Sequence, residues 1–131
     1  ASTVLNEDQT FSFGYFEYFP DFSEFDANPR RVMRGLKDGD RHLNPRDERI
    51  DLIHYSVLPW IKFTSISHPR KFNNDDSIPK IVFGKFYDNN DRILMPISIS
   101  AHHSLMDGLH IGKYLENLQL IINNLDNYDL K

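Results

Sequence analysis

The chain contains no cysteine. That removes disulfide frameworks, CxxC zinc sites, thiol redox chemistry and a cysteine nucleophile, and it fits a reducing, cytoplasmic setting. Long apolar runs are missing as well. The longest are a few residues, whereas a bilayer-spanning helix takes ~20. There is no basic excess: 15 Lys+Arg stand against 19 Asp+Glu, a net charge of −4. Without a basic stripe, nucleic acid is not an expected partner. No Gly-rich phosphate cradle of the Walker or dinucleotide-binding type occurs, so a nucleotide-bearing ligand would be held some other way. The first residues, Ala1-Ser2-Thr3-Val4-Leu5, carry neither an initiator Met nor a charged-then-apolar leader.

What remains is a chain of one-domain size, 131 residues, with 40% hydrophobic residues and ten Phe. That aromatic content excludes a disordered tail. Three runs read as strands: residues 50–57, stopped by Pro59; residues 80–87; and residues 93–100, where Ile97 and Ile99 face one way and Ser98 and Ser100 the other. The turn cluster Asp88-Asn89-Asn90-Asp91 joins the last two as an antiparallel hairpin, since Asn tolerates φ > 0. Residues 10–13 form a shorter strand.

Two helices are expected. Over 109–125, Ile111, Tyr114, Leu115, Leu118, Ile121, Ile122 and Leu125 follow helical spacing. The other covers 21–37, and Asn28-Pro29 within it reads as a cap followed by a first helical position, which predicts a kink or split there. Residues 38–48 and 67–79 read as solvated loops. The fold class is α/β, in the two-layer α+β sense: one mixed, largely antiparallel sheet with helices packed on it.

The chemistry concentrates in Ala101-His102-His103-Ser104-Leu105-Met106-Asp107-Gly108, where a strand gives way to a long helix. A neutral imidazole presented from such a junction can take a proton near physiological pH. A carboxylate four residues later can cap the helix. The same residues also fit an ordinary strand-end His pair and an Asp-Gly turn, and the motif alone does not separate the readings. A metal set of His102, His103, Asp107 and His110 is the weaker alternative, because adjacent strand residues point to opposite faces and no Cys or HxH partner supports it. Ser56, a strand-end hydroxyl, and Trp60, the lone Trp, have no special role by default. The aromatic segment from Phe11 to Phe25 reads as core or subunit contact.

Four blocks in order nevertheless resemble one family. These are Thr10-Phe11-Ser12; Ser56-Val57-Leu58-Pro59-Trp60 followed by Phe63-Thr64-Ser65; Gly84-Lys85-Phe86-Tyr87 followed by Leu94-Met95-Pro96; and His102-His103 through Asp107-Gly108, with His110, Gly112 and Leu118-Gln119 after it. Together they resemble chloramphenicol acetyltransferase of the trimeric, CoA-dependent, HHxxxDG type. The resemblance covers essentially all of residues 1–131 but only the C-terminal three-fifths or so of a typical family subunit, which implies that the N-terminal part of a single domain is absent.

The resemblance implies a CoA-dependent acyltransferase-like fold and acetyl transfer from acetyl-CoA to a hydroxyl of chloramphenicol in a ternary complex, without metal. His103, the second His of the motif, would be the general base, with its ring held in tautomer by its own backbone. Ser56 would stabilise the oxyanion. Asp107 would be structural, paired in the family with an arginine that lies outside this chain. Phe11 would wall the antibiotic pocket, and Trp60 and Lys85 would lie near CoA. The family is a homotrimer with each site at a subunit interface. Three departures bear on substrate fit: Val82 where a Thr is usual, Ile66-Ser67-His68 in place of Phe-Asp/Asn-Leu, and Pro29 within a family helix. They leave open a related acyltransferase with another acceptor, or a non-catalytic fragment kept for oligomer assembly.

Overall fold

A computed structural model describes residues 1–39, 51–68 and 77–125. The solvated loops expected at 38–48 and 67–79, and the first residue of the strand expected from Ile50, fall largely outside these.

The main sheet has five strands, ordered β2-β1-β3-β4-β7. They are β1 (Ser2–Leu5), β2 (Phe11–Gly14), β3 (His54–Leu58), β4 (Lys80–Gly84) and β7 (Ile97–Ser100). β1 pairs antiparallel with β2 and parallel with β3, β3 is parallel to β4, and β4 is antiparallel to β7. A separate two-stranded ribbon, β5 (Tyr87–Asn89) and β6 (Arg92–Leu94), is antiparallel too. The expected mixed sheet is thus present, and counting the ribbon three of the five strand pairings among the described residues are antiparallel.

Two details differ from the sequence reading. β1 was not anticipated, because Ser-Thr-Val-Leu is too short to establish a period of two. The long hairpin is also broken into two successive pairings, β4 with β7 and β5 with β6. The break follows from Gly84 and Pro96. The Gly84 N–H donates to the Pro96 carbonyl at 2.8 Å, and Lys85 then bonds away from β7, to the Ile61 carbonyl at 2.8 Å. At the tip Asn90 (φ 48°) and Asp91 (φ 65°) both adopt the left-handed region that a tight hairpin turn requires.

Helix α1 (Phe22–Lys37) is capped by Asp21, whose carboxylate accepts from Glu24 N at 3.0 Å. Glu24 in its first turn and Arg34 and Lys37 in its last complement the helix dipole. The expected split at Asn28-Pro29 does not occur, and the helix runs through Pro29. Asn28 is no cap. It is buried, and its side-chain oxygen accepts from the backbone N–H of Glu17 at 3.2 Å, tying the preceding segment to the helix.

Helix α2 (Gly108–Asn123) forms as the apolar spacing requires, but that stripe is not a core face. None of its residues is buried. Ile111, Tyr114 and Leu118 are half-buried, while Leu115, Ile121, Ile122 and Leu125 are exposed. The helix reaches the sheet through Tyr114, whose hydroxyl lies beside that of Tyr55, and the Tyr55 ring stacks on Phe83 at 6.4 Å.

Register sorts the side chains by face, since paired residues point the same way and successive residues alternate. Tyr55, Ile81 and Ile99 share one face with Gly14. An ideal Cβ on Gly14 would lie 3.5 Å from Leu36 of α1, so both helices address this side. The opposite face carries Ser56, Val82 and Ser98 in one row, and His54, Lys80 and Ser100 in the next. Val82 is sealed there, and among the described residues the other buried large apolar ones are Leu36, Leu52 and Ile81. Among the described residues no helix is long and apolar enough to cross a membrane.

Candidate active site

The His pair leaves the sheet at the end of β7. The His102 carbonyl accepts the N–H groups of Leu105 (3.0 Å) and Met106 (3.1 Å), so His103 stands at the first corner of a closed turn. Its side chain is exposed. Asp107 then fixes where α2 starts. Its carboxylate accepts from Leu109 N (3.0 Å) and His110 N (3.2 Å). The His110 ring lies beside it, Nδ1 being 2.7 Å from the Asp107 carboxylate and 3.3 Å from the Asp107 N–H, a reciprocal capping box. The His110 backbone N–H foremost, then its side chain and charge, hold the Asp107 carboxyl below its ordinary value. The partners of Asp107 are therefore local ones, the helix N-terminus and His110.

Ser56 sits mid-strand on β3, half-buried, directly opposite Val82 on β4. Phe11 lies two strands away on β2, half exposed and packed edge-to-face on Phe13 at 5.5 Å. Trp60 and Lys85 are exposed, and the Lys85 N–H donates to the carbonyl of Ile61, the residue after Trp60. They stand past the C-terminal ends of β3 and β4. The His102-His103 turn stands at the other end, past the Lys80–Ser100 pair. At about 3.3 Å per strand residue, the intervening β4 puts roughly 13 Å between them. Within one chain the structure joins Ser56 to Val82 and the Lys85 backbone to that of Ile61, next to Trp60. It does not join His103 to Ser56, Phe11 or Trp60.

Next to the turn lies a cavity of about 170 Å³, lined by Ile66, Ser67, His68, Lys80, Ser100 and His102 among others. His102 and His68 thus become neighbours of one space, while His103 lines neither this cavity nor a larger apolar groove. That groove, about 710 Å³, runs between Phe16, Tyr18, Phe22 and Phe25 on one side and Leu52 and Tyr55 on the other. Burial, with Tyr114 beside it, pushes the Tyr55 hydroxyl up. Sequence reasoning missed Lys80 and Ser100 as site residues. The alternation that put Ile97 and Ile99 on one face already placed Ser98 and Ser100 together on the other. The weaker metal set is not assembled, as no group of three or more His, Cys, Asp or Glu among the described residues is arranged to hold an ion.

A family model for chloramphenicol acetyltransferase matches residues 2–119. The chain belongs to the chloramphenicol acetyltransferase family. Chloramphenicol acetyltransferase 2 of Escherichia coli is 32% identical over 119 residues, covering 91% of this chain and 56% of that protein. Chloramphenicol acetyltransferase of Clostridium perfringens is 30% identical over 129 residues, covering 96% of this chain and 58% of the relative. A solved chloramphenicol acetyltransferase superposes with a TM-score of 0.74 at 26% identity, over 85% of this chain and 55% of that one. The chain thus spans a little over half the length of the family members it matches. The mixed sheet with its two helices is the family fold.

Proposed function

We propose that the protein to which this chain contributes transfers an acetyl group from acetyl-CoA to a hydroxyl of chloramphenicol, with His103 as general base. The observation that carries the reading is the turn at the end of β7. It is closed by the His102 carbonyl and anchored by the Asp107 cap, and it holds an exposed imidazole on a rigid base. That ring takes the proton of the acceptor hydroxyl as its oxygen attacks the thioester carbonyl, and returns it to the departing CoA sulfur. Ser56, half-buried on the face that carries Val82 and Ser98, donates to the oxyanion of the tetrahedral intermediate, and Phe11 packs on the aromatic part of the antibiotic. Acetyl-CoA supplies the activated acyl group, with Trp60 and Lys85 as its expected neighbours, and no metal takes part.

The separation of His103 from Ser56, Phe11 and Trp60 supports a composite site in a homotrimer, with the base of one subunit facing the pocket of the next. The apolar residues left exposed on α2 support the same assembly. A cysteine-free chain suits a cytoplasmic enzyme, where acetyl-CoA is present, and the activity would confer resistance to the antibiotic. A second reading, an acyltransferase with another acceptor, is favoured by His68 and Lys80 on a cavity beside the turn. Chloramphenicol-dependent release of the CoA thiol by the purified full-length protein tests the first against the second. Turnover with chloramphenicol supports it, and turnover only with other alcohols overturns it in favour of the second.

A further inference from the structure

The turn after β3 is exposed, yet it is tied down on two sides. The Ile61 N–H donates to the Leu58 carbonyl at 3.1 Å, closing the turn through Pro59 and Trp60, and the Ile61 carbonyl accepts from the Lys85 N–H at 2.8 Å. That carbonyl and the Phe63 ring also press on Gly84, where a Cβ would lie 3.0 and 2.8 Å from them. This is the tie to β4. The tie to the ribbon is a side chain: Lys62 Nζ stands over the face of the Tyr87 ring, 3.5 Å from its centroid. Lys62 is exposed, whereas Tyr87, paired with Leu94 at the base of the ribbon, is half-buried. At an exposed site such a cation–ring contact shifts an equilibrium by about two- to fivefold. The tied segments present Trp60, Lys85 and Phe86 to solvent. Open aromatic rings and an ammonium suit the base and the phosphates of a nucleotide-bearing thioester.

We propose that Lys62 is a positioning residue for the acyl donor: its grip on the Tyr87 ring holds the Trp60 turn against the ribbon in the arrangement that receives CoA. This rests on the reading of Trp60 and Lys85 as neighbours of CoA, and it is independent of His103. Lys62 acts through the turn and does not touch the ligand. Two measurements on the full-length protein test it: the dissociation constant of CoA by titration calorimetry, and hydrogen exchange of the Lys85 amide without ligand. Lys62→Met and Tyr87→Leu should each weaken CoA about two- to fivefold and speed the exchange. The double variant should be no worse than either single one. Lys62→Arg and Tyr87→Phe keep a cation and a ring face, and should restore both readouts. CoA and dephospho-CoA should lose affinity alike. Unchanged CoA affinity in Lys62→Met, while Trp60→Ala still weakens it, overturns the proposal and leaves the placing of CoA intact. Additive losses also overturn it, as does a loss confined to CoA over dephospho-CoA, which would make Lys62 a phosphate ligand. If Trp60→Ala and Lys85→Met both leave CoA affinity unchanged, the placing of CoA fails and the proposal with it, whatever the exchange shows.

Discussion

Single side chains in this protein do their work through what they touch. Asp107 accepts two helix N–H groups, an arrangement an Asn can reproduce and an Ala cannot. Asp107→Ala should lower the thermal midpoint, and Asp107→Asn should do so much less, measured by far-UV circular dichroism. The pH dependence has a definite sign. The folded carboxyl lies below its ordinary value of 3.8, so its contribution is complete above that value and is lost as pH falls through the depressed one. The gap between Asp107→Ala and the parent should therefore close only in acid. Ser56 makes a different case. One donor to a developing oxyanion is worth about 10²–10³ in kcat. Ser56→Ala should lose that much turnover in steady-state kinetics, with little change in KM for chloramphenicol. An equal rise in KM would show that Ser56 only binds substrate.

At the scale of elements, the close approach at Gly84 decides how the β4–β7 pairing ends. A Cβ there would lie 2.7 Å from Pro96 Cγ, 2.8 Å from the Phe63 ring and 3.0 Å from the Ile61 carbonyl oxygen. The loop after β3 presses on the sheet at that point, and a methyl group cannot enter without moving backbone. Gly84→Ala should destabilise by about 1–3 kcal/mol in urea denaturation, the usual cost of overpacking. Pro29 tests the opposite case. Inside α1 it leaves the Phe25 carbonyl without its i+4 donor, and Pro29→Ala should raise the denaturation midpoint.

These elements also show what local pattern can carry. The Asn90-Asp91 turn, the capped start of α2 and the alternation of Ile97 and Ile99 with Ser98 and Ser100 were legible, because each rests on a local backbone or side-chain preference. β1 and the unbroken α1 were not. A four-residue strand exists only through its partners, and Asn28 serves the Glu17 N–H, a partner eleven residues away that no cap rule anticipates. Of the site, the His turn and Asp107 could be read from spacing. That His68, Lys80 and Ser100 share a cavity with His102 depends on sheet order, which no local signal encodes.

Across the whole molecule, the apolar surface is arranged unevenly. α2 leaves Leu109 63% and Leu120 60% exposed, and the ribbon leaves Ile93 72% exposed. These exposed residues lie on the helix that follows the His turn and on the ribbon. In a trimer with composite sites, subunits carrying Ser56→Ala and subunits carrying His103→Ala should complement one another. Random mixing pairs an intact base with an intact pocket at about a quarter of the interfaces. Co-expressed mixed trimers should therefore recover activity that neither variant shows alone, while a site contained in one chain would give none.

The role of the imidazole at the corner of the β7 turn is tested most directly by the turnover of full-length His103→Ala protein under saturating acetyl-CoA and chloramphenicol. Its helix content should match that of the parent. A general base contributes typically 10²–10⁴-fold, and the rate should fall by that factor. A loss of only a few-fold, with both substrates still bound, would contradict the assignment.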